Sequence, residues 1–282
     1  MFSQKDIADY YCQTQIHYQI WWNLAETKSL HYGIWYPDTK NFKEALYNTN
    51  VELGNLAGIS STDLVLDAGC GVAGAAIYLA QSIGCHVKGI TISEIQYKVS
   101  LKNVIKAQLT ENIEVSIQDF TKTNYLDNTF DVVWACESSC HASPKSSFLR
   151  EAYRILKPGG KLVVSDYFLT SEGSLDPNKY ILKWRKTWAI SEFNNPTNFT
   201  DEAIKTGFKL LHEIDFSKEI LPSSRRMYLA YLLGWLPSNL YNLTHNTSRF
   251  AKTHFLSGKY QYLALKKKQW SYKMILLQKS QS

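Results

Sequence analysis

The sequence predicts an α/β fold, a doubly wound and mostly parallel seven-stranded sheet with an N-terminal helical segment and inserted lid helices. Strand-like and helix-like segments alternate five times between residues 65 and 168. This alternation is typical of a parallel sheet that helices cover on both faces through right-handed crossovers. The first strand also runs into a glycine-rich turn, VLDAGCGVAG at residues 65–74, which is typical of sites for adenosine-bearing cofactors.

The elements of the core follow from apolar runs and apolar periodicity. Short apolar runs predict strands at residues 65–67, 86–92, 113–118, 130–136 and 161–168. Apolar residues at helical spacing predict helices at residues 75–82, 94–109 and 148–156. Gly84 ends the first of these helices, and the turn at residues 157–160 ends the third.

The segments on either side of this core have a different rhythm. Before the core, residues 10–36 begin helix-like and end in a turn at Gly33, and residues 41–58 form an amphipathic helix. After the core, the patterns predict helices at 176–193, 199–208 (with Thr200 as N-cap) and 224–235, an edge strand at 210–216 and a last strand at 270–277. We expect a single domain over 1–282, made of an N-terminal lid and substrate segment (1–60), a cofactor-binding core (61–170) and substrate-side helices with the final strands (171–282).

Composition excludes several classes of protein. A net charge of +6, from 31 basic and 25 acidic residues, is modest for a nucleic-acid binder, and the run at residues 266–268 is typical of a solvated face. Five cysteines without paired spacing predict reduced thiols and no metal site. The first residues lack the apolar segment of a signal peptide, and no apolar run is long enough to span a bilayer. We therefore expect a cytoplasmic protein.

Polar residues at the ends of four predicted strands indicate where a ligand binds. Asp67, Thr91, Asp119 and Glu137 stand at these ends, and ligands of such sheets bind beyond the carboxyl ends of the strands. We expect the four to converge on one crevice. A dinucleotide-binding enzyme would carry an acid at the end of the second strand, where this chain has Thr91.

Five segments resemble class I S-adenosylmethionine-dependent methyltransferases, over residues 10–220. VLDAGCGVAG resembles their cofactor loop, and GITISEIQ (89–96) is similar to a segment of the sterol, tocopherol and cyclopropane-fatty-acid branch. FDVVWACESSCHA (130–142) is close to a segment of sterol C-methyltransferases, and LHYGIWYP (30–37) resembles one in tocopherol and sterol enzymes. The fifth segment, LREAYRILKPGGKLVVSDYF (149–168), is similar to the helix, turn and fifth strand common to the class. The resemblance implies a Rossmann-like methyltransferase fold with S-adenosyl-L-methionine as donor and S-adenosyl-L-homocysteine as product.

The resemblance also implies how the cofactor is held. The Asp67 carboxylate would anchor the loop and the amino-acid end of the cofactor, the segment 91–96 would lie along the ribose, and Asp119 would accept from the adenine amino group. The candidate cofactor-binding residues are Asp67, Gly69, Cys70, Gly71, Thr91, Ile92, Gln96, Gln118, Asp119, Phe120 and Glu137. Glycines in the loop let backbone amides approach the methionine moiety, and the following helix start favours its carboxylate.

The candidate catalytic residues are Glu137, His141 and His31. By resemblance to sterol enzymes, Glu137 would face a developing carbocation and His141 would accept a proton after methylation; both have a structural role as the alternative. His31, with Tyr32 and Trp35, resembles a lid over the cofactor. The candidate substrate-binding residues are Tyr18, Trp22, Tyr32 and Trp35, and ordinary core packing is the alternative for these aromatics.

The predicted function is methyl transfer to a small, apolar acceptor such as a sterol, terpenoid or prenylated quinol, with carbon favoured as the methylated atom. Methylation of nitrogen or oxygen in a small amine or phenol remains open, as does a cofactor-binding regulator. The ACESSC turn carries no proline before Pro144, which disfavours a nucleic-acid methyltransferase. We expect no nucleic-acid partner and a monomer or homodimer. The apolar helix at 227–235 allows peripheral membrane contact, with packing on the sheet as the alternative.

Overall fold

A computed structural model describes residues 2–281, and one seven-stranded sheet organises them. Its strands are β1 Leu64–Ala68, β2 His86–Thr91, β3 Ile113–Ile117, β4 Phe130–Cys136, β5 Leu156–Leu169, β6 Phe208–Asp215 and β7 Trp270–Lys279. They lie in the order β3-β2-β1-β4-β5-β7-β6, and β7 runs antiparallel to both of its neighbours. The predicted doubly wound, mostly parallel sheet is confirmed.

Twelve α-helices of the described residues flank this sheet. They are α1 Gln4–Trp21, α2 Leu24–Thr27, α3 Phe42–Ala57, α4 Gly74–Tyr78, α5 Glu94–Lys106, α6 Lys145–Ile155, α7 Ser171–Leu175, α8 Tyr180–Thr187, α9 Pro196–Thr206, α10 Leu221–Thr244, α11 Ala251–His254 and α12 Ser257–Lys266. A π-helical turn, Leu79–Ile83, continues α4, and a short 3-10 turn, Ser139–His141, follows β4.

The sheet has an apolar core on each face. Side chains of successive strand residues point to opposite faces, so Trp134 of β4 packs in one core and Val133 in the other. The core on the Trp134 face also receives aromatic residues from α1 and α8, including Tyr10 and Trp184. The segments outside the central strands therefore complete the core.

The turn at residues 157–160 lies inside β5, which begins at Leu156 rather than at Lys161. Phe130 of β4 pairs with Leu156, and Val132 pairs with Lys161, so β5 has extra residues between these two pairs. Gly159 has a φ of +77° within this bulge. A Pro-Gly-Gly sequence predicts a stop, but here it forms an irregularity between two paired stretches of strand.

The predicted helix at 176–193 is wrong in extent, because α8 spans only Tyr180–Thr187. Asp176 and Lys179 have left-handed φ values of +34° and +55°, so the helix begins only after them. The Asp176 carboxylate accepts hydrogen bonds from the amides of Ile181 (3.2 Å) and Leu182 (3.0 Å). The Asp176 side chain therefore stabilises the start of α8, and the spacing of apolar residues does not reveal such a contact.

Two other helix boundaries differ from the predictions. α9 is capped by Asn195, whose side chain accepts from the Asn198 amide at 2.7 Å, and Pro196 occupies its first turn. Thr200, the predicted cap, lies inside the helix and donates to the Pro196 carbonyl at 3.1 Å. α10 is twice as long as the predicted segment 224–235, with 24 residues.

The final strands match their predictions in type and place. β6 is the edge strand, and β7 inserts between β5 and β6. The sequence patterns did not predict α11 and α12, which lie between α10 and β7. Because β7 is antiparallel, its first residues lie beside the carboxyl ends of β4 and β5, where Tyr272 pairs with Tyr167.

Candidate functional site

A cleft lies at the carboxyl ends of β1, β2 and β4. Ligands of Rossmann-like sheets bind at this edge. It brings Asp67, Thr91, Asp119 and Glu137 together, so their predicted convergence is confirmed. The other predicted site residues that line it are Gly69, Cys70, Gly71, Ile92, Gln96, Phe120, His31 and His141.

Packing against Ser138 and hydrogen bonds to β2 determine the conformation of the glycine loop after β1. Gly69 has a φ of +101°, and a Cβ there would lie 2.5 Å from the Cβ of Ser138. The amides of Gly69 and Cys70 both donate to the Ile90 carbonyl, at 3.0 and 2.9 Å. These two amides of the loop are therefore bonded to the end of β2.

Gly74 joins this loop to the N-terminal segment. A Cβ at Gly74 would lie 2.0 Å from the carbonyl oxygen of Lys28, so only glycine allows this close approach. Lys28, Leu30 and His31 in turn line the cleft. The start of α4 and the segment after α2 thus form one wall.

Asp67 presents an unpaired carboxylate oxygen to the cleft. The residue is buried, and Oδ2 has no hydrogen-bond partner within residues 2–281. Burial raises the pKa of this carboxyl to about 7. Buried polar atoms are normally satisfied, and a ligand amino group is the chemical complement of this oxygen. The arrangement fits the amino-acid end of S-adenosylmethionine.

The β2 and β3 side of the cleft offers polar groups at the sheet edge. Thr91 donates to the Gln96 side-chain oxygen at 3.0 Å, which orders the start of α5. The Asp119 carboxylate accepts from the Thr121 amide at 2.8 Å and from the side chain of Gln4 in α1. Phe120 packs edge-on against Phe148 of α6.

Gln118 does not reach the cleft. Its side-chain nitrogen donates to Ser116 at 3.0 Å, and its oxygen accepts from the Asn124 amide at 2.9 Å. Side chains alternate along an extended segment, so Gln118 points away from Asp119. The structure supports a loop-stabilising role for Gln118.

Glu137 is the buried acid at the end of β4. Its Oε1 accepts from the Tyr32 amide at 2.5 Å and from the Tyr272 hydroxyl at 2.8 Å. Burial holds the pKa of Glu137 well above its usual range, although both hydrogen bonds act to lower it. Its φ of +50° is unusual for a residue other than glycine and re-aims the chain after the strand.

A second buried acid, Asp166 of β5, holds the turn after Glu137. Its Oδ2 accepts from the Ser139 hydroxyl at 2.5 Å and from the Cys140 amide at 2.7 Å. Burial raises the pKa of Asp166 to about 6. Lys145 donates to the carbonyls of Cys140 and Ala142, both at 2.7 Å. The sequence analysis did not name Asp166 or Lys145 as site residues, because the role of each depends on contacts with the turn after β4.

The two histidines of the cleft are buried and uncharged near neutral pH. Burial lowers the pKa of His141 and of His31 to about 4. His141 Nε2 lies 3.0 Å from the Tyr11 hydroxyl, and its Nδ1 has no partner within the described residues. His31 Nδ1 lies 2.9 Å from the Tyr32 carbonyl, and its Nε2 is unpaired in the same range.

Helix α1 covers the cleft and lies in the expected lid segment 1–60, although its residues at the cleft were not named among the candidate site residues. Phe2, Gln4, Ile7 and Tyr11 line the cavity. Gln4, Ile7 and Tyr11 are spaced by three and four residues, which places them on one helix face. That spacing is the signal that would have found them. The Gln4–Asp119 and Tyr11–His141 contacts bridge the cover to the sheet edge.

The four predicted substrate-binding aromatics, Tyr18, Trp22, Tyr32 and Trp35, do not line the cleft. Tyr18 bonds the Tyr10 hydroxyl at 2.5 Å, and Trp22 donates to the His31 carbonyl at 3.4 Å. These side chains pack behind the cleft wall.

Tyr32 and Trp35 also have partners outside the cleft. Tyr32 donates to the side chain of Gln261, and the Trp35 ring nitrogen donates to Ser223 at 2.9 Å. The packing alternative accounts for all four contacts. Tyr32 contributes to the site through its backbone amide on Glu137. No group of three or more potential metal ligands occurs within residues 2–281.

Comparison with known proteins agrees with this geometry. Residues 66–164 match the family model described as a methyltransferase domain. Methyltransferase GfsG of Streptomyces halstedii is 28% identical over 232 residues, which span 80% of this chain and 81% of that protein. Sterol 24-C-methyltransferase ERG6 of Saccharomyces cerevisiae is 31% identical over 172 residues, but the match spans 60% of this chain and less than half, 45%, of the sterol enzyme.

Solved structures share the fold along the whole chain. The [4+2]-cyclase SpnF matches with a TM-score of 0.82 at 19% identity, over 100% of this chain and 97% of that one. Geranyl diphosphate C-methyltransferase from Streptomyces coelicolor A3(2), solved with S-adenosyl-L-homocysteine, matches with a TM-score of 0.78 at 16% identity, over 98% and 97%. The core at residues 66–164 is thus a methyltransferase domain by sequence, and the whole chain shares the fold of these solved structures.

Proposed function

We propose that this protein transfers a methyl group from S-adenosylmethionine to a small, apolar acceptor, with carbon as the methylated atom. The observation that carries the proposal is the position of Glu137, a buried carboxylate at the end of β4 with Tyr272 and Tyr32 as its donors. It shares the cleft with the unpaired Asp67 oxygen and with His141.

The donor end of the cleft is proposed at β1 and β2. Asp67 would accept from the amino group of the cofactor, Thr91 and Gln96 would lie along the ribose, and Asp119 with Phe120 would hold the adenine. All five residues line the cleft. When bound, the cofactor supplies an electrophilic methyl group on a positively charged sulfur.

The acceptor end is proposed beneath α1. Phe2, Ile7 and Tyr11 give this part of the cleft an apolar and aromatic cover, which suits an apolar acceptor and excludes water from the reacting atoms. Displacement at a methyl group needs alignment above all. Orientation alone supplies roughly 7–11 kcal/mol in well-aligned systems.

The basicity of His141 favours carbon methylation over methylation of nitrogen or oxygen. A carbocation loses a proton readily, so a weak base suffices to accept it. His141 has a pKa of about 4 because of burial, and its Nδ1 is unpaired. Such a group is too weak a base to take the proton of an ammonium or a phenol, whose pKa values lie near 10. The ionised form of Glu137, which the positive charge of a bound donor and of the intermediate would favour against the effect of burial, would stabilise the cationic intermediate.

Two measurements test the proposal. S-adenosylmethionine should raise the melting temperature, and Asp67→Ala should abolish the rise, while Asp201→Ala, an exposed residue of α9, should leave it unchanged. Product analysis on a panel of sterols, terpenoids, quinols, amines and phenols should then locate the transferred methyl on carbon. Absence of a shift at millimolar cofactor contradicts donor binding, and N- or O-methyl products contradict the assignment of the acceptor atom.

A further inference from the structure

The outward face of α10 is a stripe of exposed leucines. Leu229, Leu232, Leu233, Leu236, Leu240 and Leu243 are each between 50% and 82% exposed. At 3.6 residues per turn these six side chains fall within an arc of about 100°. The opposite face carries Ser224, Met227 and Gly234, which are buried against the protein. We call the six leucines the α10 leucine face.

An aromatic residue, Trp235, lies beside this face and is 49% exposed. Single exposed apolar residues are ordinary on protein surfaces, but contiguous ones mark interaction sites. Trp and Tyr side chains suit a boundary between an apolar and an aqueous phase, because each has an apolar ring and a polar group.

The carboxyl-terminal segment that contains α10 carries positive charges and no negative ones. Residues 220–282 contain ten Lys and Arg and no Asp or Glu, whereas residues 1–219 contain 21 basic and 25 acidic residues. Among the described residues, only Arg249 and Lys273 of these ten pair with a carboxylate. The positive net charge of the chain therefore comes entirely from residues 220–282, because acidic residues outnumber basic ones in residues 1–219.

Basic residues also frame the leucine face itself. Arg225 and Arg226 lie in the first turns of α10, at the amino-terminal end of the leucine face, and both are exposed. An apolar helix face with basic residues around it is typical of helices that lie in the interface of an anionic bilayer.

We propose that the α10 leucine face docks this protein on an anionic lipid surface, with α10 lying in the plane of the interface. No helix of the described residues is long and apolar enough to cross a membrane, so the contact is one of surface binding. The inference does not depend on the methyl-transfer proposal, because lipid binding is measured without donor or acceptor.

Helix α10, which carries the leucine face, contacts the end of α1, the helix that covers the cleft. Arg226 donates to the Trp21 carbonyl at 3.1 Å, and a Cβ at Gly234 would lie 3.8 Å from the Trp21 ring. Trp21 ends α1, the helix whose first residues line the cleft. An apolar acceptor dissolved in a bilayer would thus lie near the helix that covers the site.

A second copy of the chain is the competing occupant, and two observations disfavour it. Leu229, Leu233, Leu236, Leu240 and Leu243 have the alternating spacing of four and three residues that coiled coils use. However, Pro237 interrupts the helix interior between them, and self-association would bring two basic segments without acidic residues together. A lipid surface of opposite charge has neither disadvantage.

The test is cosedimentation with vesicles, using one variant and one matched control. Leu233→Gln/Leu236→Gln/Leu240→Gln removes apolar area from the face without changing charge. Ile105→Gln/Leu126→Gln/Leu175→Gln alters three residues that are at least as exposed, 63–81%, but lie elsewhere. We expect the wild type and the control to bind phosphatidylcholine vesicles with about 30% phosphatidylserine, and the α10 variant to bind at least about tenfold more weakly.

Three further readouts decide the chemistry of the partner. Binding should weaken at least about tenfold for phosphatidylcholine alone, and likewise when salt rises from about 0.05 to 0.3 M. Subtracting the emission spectrum of Trp235→Phe from that of the wild type isolates the fluorescence of Trp235. The maximum of this difference spectrum should move to shorter wavelength when vesicles are added. Without lipid, sedimentation velocity should show a monomer at about 50 μM protein.

The opposite results overturn the proposal. Equal vesicle binding by wild type and α10 variant, no binding by either, or equal affinity for the two lipid mixtures each rejects an anionic lipid partner. A dimer that the α10 variant dissociates assigns the face to a second copy instead. The melting-temperature rise with S-adenosylmethionine should be the same in all variants, so loss of lipid binding and loss of donor binding are distinguishable.

Discussion

The hydroxyl of Tyr272 donates a hydrogen bond of 2.8 Å to the Glu137 carboxylate, although 135 positions separate the two residues. β7 runs antiparallel to β5, and β5 runs parallel to β4, so the first residues of β7 lie near the carboxyl end of β4. Reversal of the last strand thus places a phenol at the edge where the cleft opens. Tyr272 is a positioning residue for the proposed catalytic acid.

Tyr272→Phe should move the acidic limb of the pH–rate profile to higher pH. The hydrogen bond from Tyr272 lowers the pKa of Glu137, so its loss raises that pKa, and the ionised form appears only at higher pH. We expect the turnover number to fall roughly tenfold at neutral pH. A purely structural Tyr272 would lower stability and leave the shape of the profile unchanged. Tyr153→Phe, which packs on Phe208 outside the cleft, is the matched control.

Glu137→Gln should lower turnover far more than cofactor affinity. The amide keeps the size of the side chain but cannot stabilise a cationic intermediate with a negative charge. We expect the turnover number to fall by about 100-fold or more and the Kd for S-adenosylmethionine to change by less than about threefold. Calorimetric titration and single-turnover kinetics measure the two separately. Turnover equal to that of the wild type would leave Glu137 a structural role.

Asp67→Asn should stabilise the protein at alkaline pH and not at acidic pH. The pKa of Asp67 is about 7 in the folded state against a usual 3.8, so the folded protein retains a proton that the unfolded chain releases. Stability contributed by this group is full below pH 4 and is lost as pH rises to about 7. The variant cannot ionise, so it should gain on the order of 4 kcal/mol over the wild type at pH 8.

Melting curves of wild type and Asp67→Asn at pH 4 and pH 8 measure this difference. The two proteins should have similar stability at the lower pH, and the variant should have lost the temperature rise with S-adenosylmethionine at the higher one. A variant less stable than the wild type at pH 8 would show that Asp67 is stabilised as a carboxylate by the fold, against the raised pKa.

Gly74→Ala should be strongly destabilising, and Gly54→Ala should not. A Cβ at Gly74 meets the Lys28 carbonyl oxygen at 2.0 Å, whereas at Gly54 in α3 the nearest atoms lie at 3.6 Å. We expect a loss of about 2–4 kcal/mol of unfolding free energy for the first change and a gain of up to about 1 kcal/mol for the second. Denaturant unfolding measures both. Equal stability of the two variants would mean that the segment at Lys28 moves without cost.

Local sequence patterns predicted the central part of the fold and the donor side of the cleft. The alternation of short apolar runs and helical stripes predicted β1 to β5 and the helices between them along the chain, because burial on both faces of a parallel sheet requires that pattern. Strand ends then placed Asp67, Thr91, Asp119 and Glu137 at one edge. Resemblance of the loop to known methyltransferases identified the donor.

Periodicity failed where a side chain rather than apolar spacing sets the boundary. The starts of α8 and α9 both depend on side chains, those of Asp176 and Asn195, that accept hydrogen bonds from backbone amides. The aromatic residues Tyr18 and Trp22 were expected in the substrate pocket, and they pack behind it. An aromatic stripe has the same pattern in either role, so sequence alone does not separate the two.

By itself, the sequence determined the α/β architecture, the methyltransferase domain at residues 66–164 and its glycine loop, since each depends on residues that are close along the chain. Only the tertiary structure decided that Tyr272 and Tyr32 hold Glu137, that Asp166 fixes the following turn, and that the α10 leucine face points outward. These relationships join residues far apart in sequence. The folded sheet fixes their distances and burial, and both quantities set the pKa values and the partners of the site.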